Sequence, residues 1–281
     1  MKKILVPCDF SERAINAYRQ ALDVAAQSGG VIHLLHVIEP PILNDSMLMP
    51  TLNFEVEQMN EAKSKAEGQF KDMIARSNGE HVKSVSEVQF GSVSDHIQKY
   101  IIEQNIDMVI MGSTGASGLK EYFIGSNAEK VVRHSPVPVL ILKNYYGQPI
   151  RKIVFPNTLE HQEDLVMKVK ELQNFFKAKL CLVYINTQFG LADESSIRLH
   201  LQQFANRFML KDYSINVYDH TSIEKGVIEF TKAVHGDMIA LGTHGHKGIV
   251  HLVKGSIAED IVNHIDRPIW TYRMKDEPAE K

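Results

Sequence analysis

Several residue types that mark whole classes of protein are scarce in this chain of 281 residues. The two cysteines, Cys8 and Cys181, both stand in apolar, strand-like contexts, so a disulfide framework is not expected. This usage is typical of a reducing compartment, and we expect a cytoplasmic protein. The longest apolar runs, at residues 31–38 and 137–142, are well short of the roughly 20 residues that a membrane-spanning helix needs.

An excess of positive charge is also absent. The formal net charge is −3, whereas proteins that bind nucleic acid backbones are usually basic, so we expect no nucleic-acid partner. From the short apolar runs we expect no association with a membrane. A single bound phosphate group stays compatible with this charge, because it needs only a few local donors. The hydrophobic content of 44% is ordinary for a globular protein, and the length suggests two domains.

The sequence contains an internal repeat. Residues 110–115, Ile-Met-Gly-Ser-Thr-Gly, return as residues 240–245, Ala-Leu-Gly-Thr-His-Gly, and a Gly-Ser pair follows each after nine further residues. The starts also match, with Lys-Ile-Leu-Val-Pro at 3–7 and Lys-Ile-Val-Phe-Pro at 152–156. A repeat of about half the chain indicates a duplicated domain, not a solenoid. We predict domains at residues 1–145 and 149–274, joined by a short linker that contains glycine and proline.

Within each half, short apolar runs alternate with helical patterns. In the first half the patterns predict strands at residues 3–6, 31–37, 82–90, 108–111 and 139–142, and helices at 14–25, 53–77, 94–104 and 127–134. In the second half they predict helices near residues 163–177, 194–211 and 223–234. Strands that alternate with helices indicate a doubly wound parallel α/β sheet, whose ligands bind beyond the carboxyl ends of the strands.

The glycine loop of the first half has the chemistry of a phosphate site. Gly112 and Gly115 follow a buried strand, and Gly125 and Ser126 open a helix, where the Ser126 hydroxyl adds a donor or caps the helix. Glycines let the main chain approach an anion, and the free N–H groups and dipole of a helix start favour phosphate. Turn geometry alone is the other explanation for such glycines. The loop is neither a Walker A motif nor a dinucleotide-binding Gly-x-Gly-x-x-Gly.

With this motif, Gly-2x-Gly-9x-Gly-Ser, the chain resembles tandem universal stress proteins over nearly its whole length. An acidic residue after the first strand, Asp9, and a Leu-His-Val end to the second strand at residues 35–37 add to the resemblance. It implies two five-stranded parallel sheets of the adenine nucleotide alpha hydrolase-like type, each with strand order 3-2-1-4-5. It also implies that the last strands, residues 139–142 and 269–272, pair in an intramolecular pseudo-dimer. A homodimer is left open.

The resemblance implies a stress-response regulatory protein that binds ATP, with or without Mg²⁺, at the first glycine loop. Pro7 and Asp9 would contact the adenosine part, and the main chain of Val37 would pair with adenine. The phosphates would be held by Gly112, Gly115, Gly125, Ser126 and Asn127. For Asp9 the residues alone leave a second interpretation, capping of the helix that begins near Ser11. A slow ATPase or a phosphotransferase is the rival function, and no catalytic residue is assigned.

The second half departs from this pattern. Pro-Asn-Thr at residues 156–158 stands where the first half has Pro-Cys-Asp at 7–9, and Ile185 replaces Val37. The glycine loop itself is intact at Gly242, Gly245, Gly255 and Ser256. A phosphate can therefore bind there, while recognition of adenosine is in doubt and a non-nucleotide small ligand is an alternative. We expect the first half to hold the better ATP site.

Two other groups of residues raise alternatives. Three histidines in and near the second glycine loop, His244, His246 and His251, have the residue type of a transition-metal site. No cysteine or carboxylate completes a ligand set at a convincing spacing, so no metal is assigned. Cys8 lies beside the expected nucleotide site, where a packed small side chain is favoured over a nucleophile.

Overall fold

A computed structural model describes residues 1–39, 52–114, 125–158, 163–187, 193–244, 261 and 264–274. The strands in these ranges are β1 (Lys3–Pro7), β2 (Val31–Ile38), β3 (Ser84–Phe90), β4 (Met108–Gly112), β5 (Val139–Leu142), β6 (Lys152–Pro156), β7 (Lys179–Asn186), β8 (Tyr213–Asp219), β9 (Met238–His244) and β10 (Ile269–Met274). The α-helices are α1 (Glu12–Ser28), α2 (Leu52–Arg76), α3 (Val93–Glu103), α4 (Ser126–His134), α5 (Glu163–Phe176), α6 (Glu194–Arg207) and α7 (Ile223–Ala233).

All these strands belong to one sheet, in the order β3-β2-β1-β4-β5-β10-β9-β6-β7-β8. Each half therefore contributes five strands in the order 3-2-1-4-5, and the pairs within each half are parallel, as predicted. The halves join where β5 pairs with β10 in antiparallel register, with Leu140 opposite Trp270. The implied pairing of the two last strands is confirmed, and the result is one continuous sheet.

The central strands of the sheet are buried on both faces. Alternate residues of β1 show this, since Ile4 and Val6 pack into a cluster with α1, α2, α5 and α6, while Leu5 packs into a second cluster with α3, α4 and α7. Strands covered on both faces read as continuous apolar runs, which explains why their positions are visible in the sequence. Trp270 of the second half lies in the first cluster and is fully buried. In the described part of the chain, no helix has the length and hydropathy to cross a bilayer.

Backbone conformation decides where the helices end. Helix α1 begins at the Ser11 cap, whose hydroxyl accepts a bond from the Ala14 amide, and ends at Gly29 with φ 61°, as the Gly-Gly pair predicts. The prediction for α6 was too long by four residues, because Met209 with φ 49° turns the chain out of the helix after Arg207. Strand β3 starts at Ser84 rather than at residue 82, because a 3₁₀ turn at Gly79–His81 precedes it.

The repeat extends to single hydrogen bonds. Asp107, just before β4, accepts bonds from the amides of Lys2 and Lys3 at 2.5 and 2.9 Å. Asp237, just before β9, accepts bonds from the amide of Lys152 and that of the preceding residue, both at 2.9 Å. Asp237 also accepts a bond from the hydroxyl of Tyr146 in the linker at 2.7 Å. An aspartate thus anchors the first strand of each half, and in the second half it holds the linker as well.

Candidate functional site

A cavity opens in the N-terminal half where the carboxyl ends of β1, β2 and β4 meet the start of α4. It holds about 770 Å³ of unfilled space, part of it open to solvent. Its lining includes the following residues of the predicted site: Pro7, Asp9, Val37, Gly112, Gly125, Ser126 and Asn127. Gly115 lies outside the described residues. The topology therefore brings together residues that are up to 120 positions apart in the chain.

The turn between β1 and α1 places Asp9 at the cavity. One carboxylate oxygen of Asp9 accepts bonds from the amide of Ser11 at 3.1 Å and from its hydroxyl at 2.6 Å. The same hydroxyl accepts a bond from the Ala14 amide, so Asp9 supports the helix cap through Ser11. One carboxylate oxygen of Asp9 thus supports the helix cap, as the capping interpretation predicts, and the side chain also lines the cavity.

The backbone of this turn is unusual. Phe10 adopts φ 62°, a left-handed conformation that is uncommon for a residue other than glycine. Its ring packs against His36, with centroids 4.8 Å apart, and against Phe70 of α2 at 4.9 Å. Strain of this kind persists only where the surroundings hold it, and here the end of β2 and helix α2 do so.

The end of β2 leaves the main chain of Val37 facing the cavity. The ladder between β1 and β2 ends where the Cys8 amide donates to the Leu35 carbonyl at 2.8 Å. In a parallel pair, alternate residues direct both main-chain groups to the same neighbour, so those of Val37 point to the side of β1, where β1 has ended. The carbonyl of Cys8 instead accepts a bond from Nδ1 of His36 at 2.7 Å, which assigns the ring proton to that nitrogen.

The other end of the cavity is the start of α4. Gly125 is the N-cap residue, with φ −64° and ψ 145°, and no side chain caps the helix. Ser126 is therefore the first helical residue, so the suggestion that its hydroxyl caps α4 was wrong. The amides of Ser126 and Asn127 belong to the first turn, which has no intrahelical acceptors for its N–H groups. They make a local concentration of donors at the positive end of a helix dipole.

Gly112 has a packing role that does not depend on any ligand. A Cβ atom at this position would lie 2.9 Å from Cβ of Arg13 and 3.1 Å from its carbonyl carbon. The absence of a side chain thus lets the first turn of α1 approach the end of β4. The guanidinium of Arg13 continues past Gly112, and its Nη1 donates to the Ser113 hydroxyl at 2.9 Å. Sequence analysis missed Arg13, because its partner is 100 residues away.

Comparison with known proteins gives the family. The model of the universal stress protein family matches residues 1–143 and 213–273, which is more than half of the chain. The chain belongs to the universal stress protein family. Universal stress protein G of Salmonella typhimurium is 33% identical over 145 residues, which cover 50% of this chain and 99% of that protein. A universal stress protein of Methanocaldococcus jannaschii is 33% identical over 155 residues, covering 50% of this chain and 94% of the relative.

A solved structure shares the tandem architecture. The crystal structure of a universal stress protein from Archaeoglobus fulgidus superposes with a TM-score of 0.73, covering 96% of this chain and 98% of that one. The identity is 18%, so the likeness shows the fold alone. It supports two universal stress protein folds in one chain.

Within this universal stress protein, Cys8 is a packed side chain. It is 4% exposed, and its Sγ lies 3.8 Å from Sδ of Met73 on α2. Burial raises the pKa of its thiol to about 12, with the charge of Asp9 adding to the effect and a backbone bond from Phe10 opposing it. A nucleophile needs the thiolate form, so these observations favour the packing interpretation.

The corresponding region of the C-terminal half has different chemistry. Asn186, at the end of β7, donates from its amide to the Asp219 carboxylate at 2.6 Å, where the first half has Ile38 and Phe90. Ile185, in the place of Val37, is buried and packs against Gly226. A Cβ added at Gly226 would lie 2.7 Å from Cγ2 of Ile185. Gly242 lies in β9, while Gly245, Gly255 and Ser256 fall outside the described residues, as do His246 and His251. Among the described residues, no three metal-ligating side chains cluster.

Proposed function

We propose that the N-terminal half, residues 1–145, binds ATP, and that the protein acts as a cytoplasmic nucleotide-binding regulator in a stress response. The observation that carries this proposal is the convergence of two kinds of group on one cavity. Acceptors and an exposed strand end lie at one side, and helix-start donors lie at the other. An adenine nucleoside with a phosphate chain has the complementary chemistry.

The adenosine part is assigned to the ends of β1 and β2. The main chain of Val37 offers a donor and an acceptor side by side, a pattern that complements the edge of adenine. The Asp9 carboxylate accepts hydrogen bonds from ribose hydroxyls. Guanine has a carbonyl where adenine has its amino group, so we expect GTP to bind more weakly than ATP.

The phosphate chain is assigned to the start of α4 and the glycine loop. The amides of Ser126 and Asn127 and the hydroxyl of Ser126 supply donors, with Gly125 as the N-cap and the helix dipole favouring negative charge. Gly112 and Gly115 belong to the same assignment. Mg²⁺, when present, is expected to bind the phosphate oxygens, and we assign it no protein ligand.

The second domain is proposed to span residues 149–274. Its site is proposed to bind ATP more weakly than the first site or to bind a different ligand. Its glycine loop, Gly242, Gly245, Gly255 and Ser256, keeps the residues for a phosphate. Thr158 replaces the carboxylate that would bind ribose, and the Asn186–Asp219 pair adds polar groups that the first half lacks. We infer a small polar or phosphorylated ligand here, without preference for adenosine.

Calorimetric titration with ATP, with and without Mg²⁺, tests the proposed site. Asp9→Asn removes a charge that accepts hydrogen bonds, so we expect roughly tenfold weaker ATP binding. Thr158→Asn is the matched control at the equivalent position of the second half and should leave that affinity unchanged. Absence of ATP binding by the wild-type protein, or equal binding by the Asp9 variant, would contradict the assignment. Phosphate release at metabolic rates in the same samples would favour the rival enzyme.

A further inference from the structure

Ser113 is the point at which three elements of the N-terminal half meet. Its amide donates to the Leu142 carbonyl of β5 at 2.8 Å, and its carbonyl accepts a bond from the Gly125 amide at 2.8 Å. Its hydroxyl accepts the bond from Nη1 of Arg13 at 2.9 Å. Ser113 is 1% exposed, so water does not compete for these bonds. One residue thus links the end of β4 to the N-cap of α4 and to helix α1.

The contact with Arg13 reaches both arms of the glycine loop. The backbone and Cβ of Arg13 touch Gly112, at the start of the first arm. The guanidinium of Arg13 is hydrogen bonded to the Ser113 hydroxyl, and the Ser113 carbonyl in turn accepts a bond from the amide of Gly125, the start of the second arm. The amides of Ser126 and Asn127 follow directly in α4, so their placement depends on the same set of bonds.

Charges of both signs lie near the base of the loop. Burial lowers the pKa of Lys143, which follows β5, and the nearby charge of Arg13 lowers it further. Asp266 of the second half acts in the opposite direction on Lys143. Two cations of the N-terminal half therefore lie near the base of the loop, one of them hydrogen bonded to it.

We propose that Arg13 is a positioning residue for the phosphate-binding loop. By holding Ser113, it fixes the Gly125 cap and the first amides of α4 in the arrangement that a phosphate chain requires. The preference of the site for ATP over adenosine then depends on Arg13, which is not among the residues that line the cavity. This inference rests on the proposed function, and its tests are chosen so that the two can fail separately.

Hydrogen exchange of the full, ligand-free chain tests the positioning step. Arg13→Ala keeps the backbone and Cβ that pack on Gly112 and removes only the guanidinium. We expect exchange of the Gly125 amide to become roughly tenfold faster in this variant and in Ser113→Ala, because the bond that it makes is no longer supported. Arg19→Ala, an exposed residue of the same helix, is the matched control and should leave exchange at Gly125 unchanged. Unchanged exchange at Gly125 in Arg13→Ala overturns the inference.

Titration with ATP and with adenosine tests the consequence for binding. In Arg13→Ala we expect the affinity for ATP to fall roughly tenfold while that for adenosine changes less than about twofold. A merely structural role would weaken both ligands equally and leave the ratio of the two affinities unchanged. That result overturns the role of Arg13 in phosphate recognition. If the wild-type protein binds no ATP, the proposed function fails for every variant alike, whereas exchange at Gly125 still tests the positioning step by itself. ATP binding with an unchanged ratio overturns the Arg13 inference alone.

Discussion

Burial decides which single side chains of this protein can take part in proton or thiol chemistry. Cys8 and His33 are both less than a tenth exposed, and each lies within a few residues of a side chain that lines the candidate cavity. Burial raises the pKa of the Cys8 thiol and lowers the pKa of His33, so each is held in its neutral form. At this scale the structure makes two predictions, one on reactivity and one on stability.

The first prediction concerns alkylation of Cys8. With a pKa of about 12 and almost no exposure, the thiol of Cys8 should react with iodoacetamide at neutral pH far more slowly than a free cysteine does. Peptide mass spectrometry of native and denatured samples measures the difference. Labelling of Cys8 in the native protein as fast as in urea would show that the residue is accessible.

The second prediction concerns His33. Its Nδ1 lies 3.1 Å from the Tyr100 hydroxyl, and burial, followed by the charge of Lys3, lowers its pKa. Below the ordinary histidine pKa of about 6.5, the unfolded chain binds a proton that the folded protein does not, so stability falls as the pH falls. We expect this group to contribute up to about 1.4 kcal/mol per pH unit to that loss.

Denaturant unfolding between pH 5 and pH 8, a range that spans about 6.5, checks the histidine prediction. His33→Gln should flatten the decline of the free energy of unfolding on the acid side. His200→Gln, at an exposed position of α6, is the control and should leave the slope as it is in the wild type. A slope unchanged in His33→Gln would show that other groups cause the acid sensitivity.

At the scale of elements, the close approach of α1 to the end of β4 is a packing contact with a defined tolerance. Gly112→Ala would place a methyl group against the backbone of Arg13, and backbone atoms cannot move aside as a flexible side chain can. We expect a destabilisation of roughly 1–3 kcal/mol, as for other overpacked sites. Chemical unfolding of the variant measures it.

Gly68 provides the opposite case for comparison. It lies within α2, and a Cβ there would meet nothing within 4 Å. Gly68→Ala should therefore stabilise the protein by about 0.5–1 kcal/mol, since alanine favours the helix. A Gly112→Ala variant as stable as the wild type would show that the backbone of Arg13 does not make Gly112 necessary.

The elements also show what can be predicted from the sequence and what cannot. Central strands could be predicted because burial on both faces makes each of them an apolar run. The convergence of strand ends in a doubly wound sheet also predicts that Asp9 and Gly112 reach one place, and both line the same cavity. The end of α6 could not, since Met209 in a left-handed conformation leaves no mark in the sequence. Arg13 was missed for a different reason, because its role exists only once β4 lies beside α1.

At the scale of the whole molecule, the contact between β5 and β10 makes one structure of two halves. Trp270, the single tryptophan of the chain, lies on this seam opposite Leu140 and is fully buried. We expect thermal unfolding followed by tryptophan fluorescence to coincide with unfolding followed by circular dichroism. Residues of β5 and β10 belong to both apolar clusters, and each cluster contains residues of both halves, so the halves should unfold together. Separate transitions would show that the halves unfold independently.

The antiparallel seam has one more consequence. The strands of the two halves run in opposite directions across this seam. The carboxyl ends of the first half (β1, β2 and β4) therefore lie at one end of the strands, and those of the second half (β6, β7 and β9) lie at the other. Five strand spacings of about 4.8 Å separate β1 from β6, or roughly 24 Å across the sheet. The carboxyl ends of the two sets of strands therefore face in opposite directions. A ligand at the carboxyl ends of the first half therefore lies at the opposite end of the sheet from the carboxyl ends of the second half.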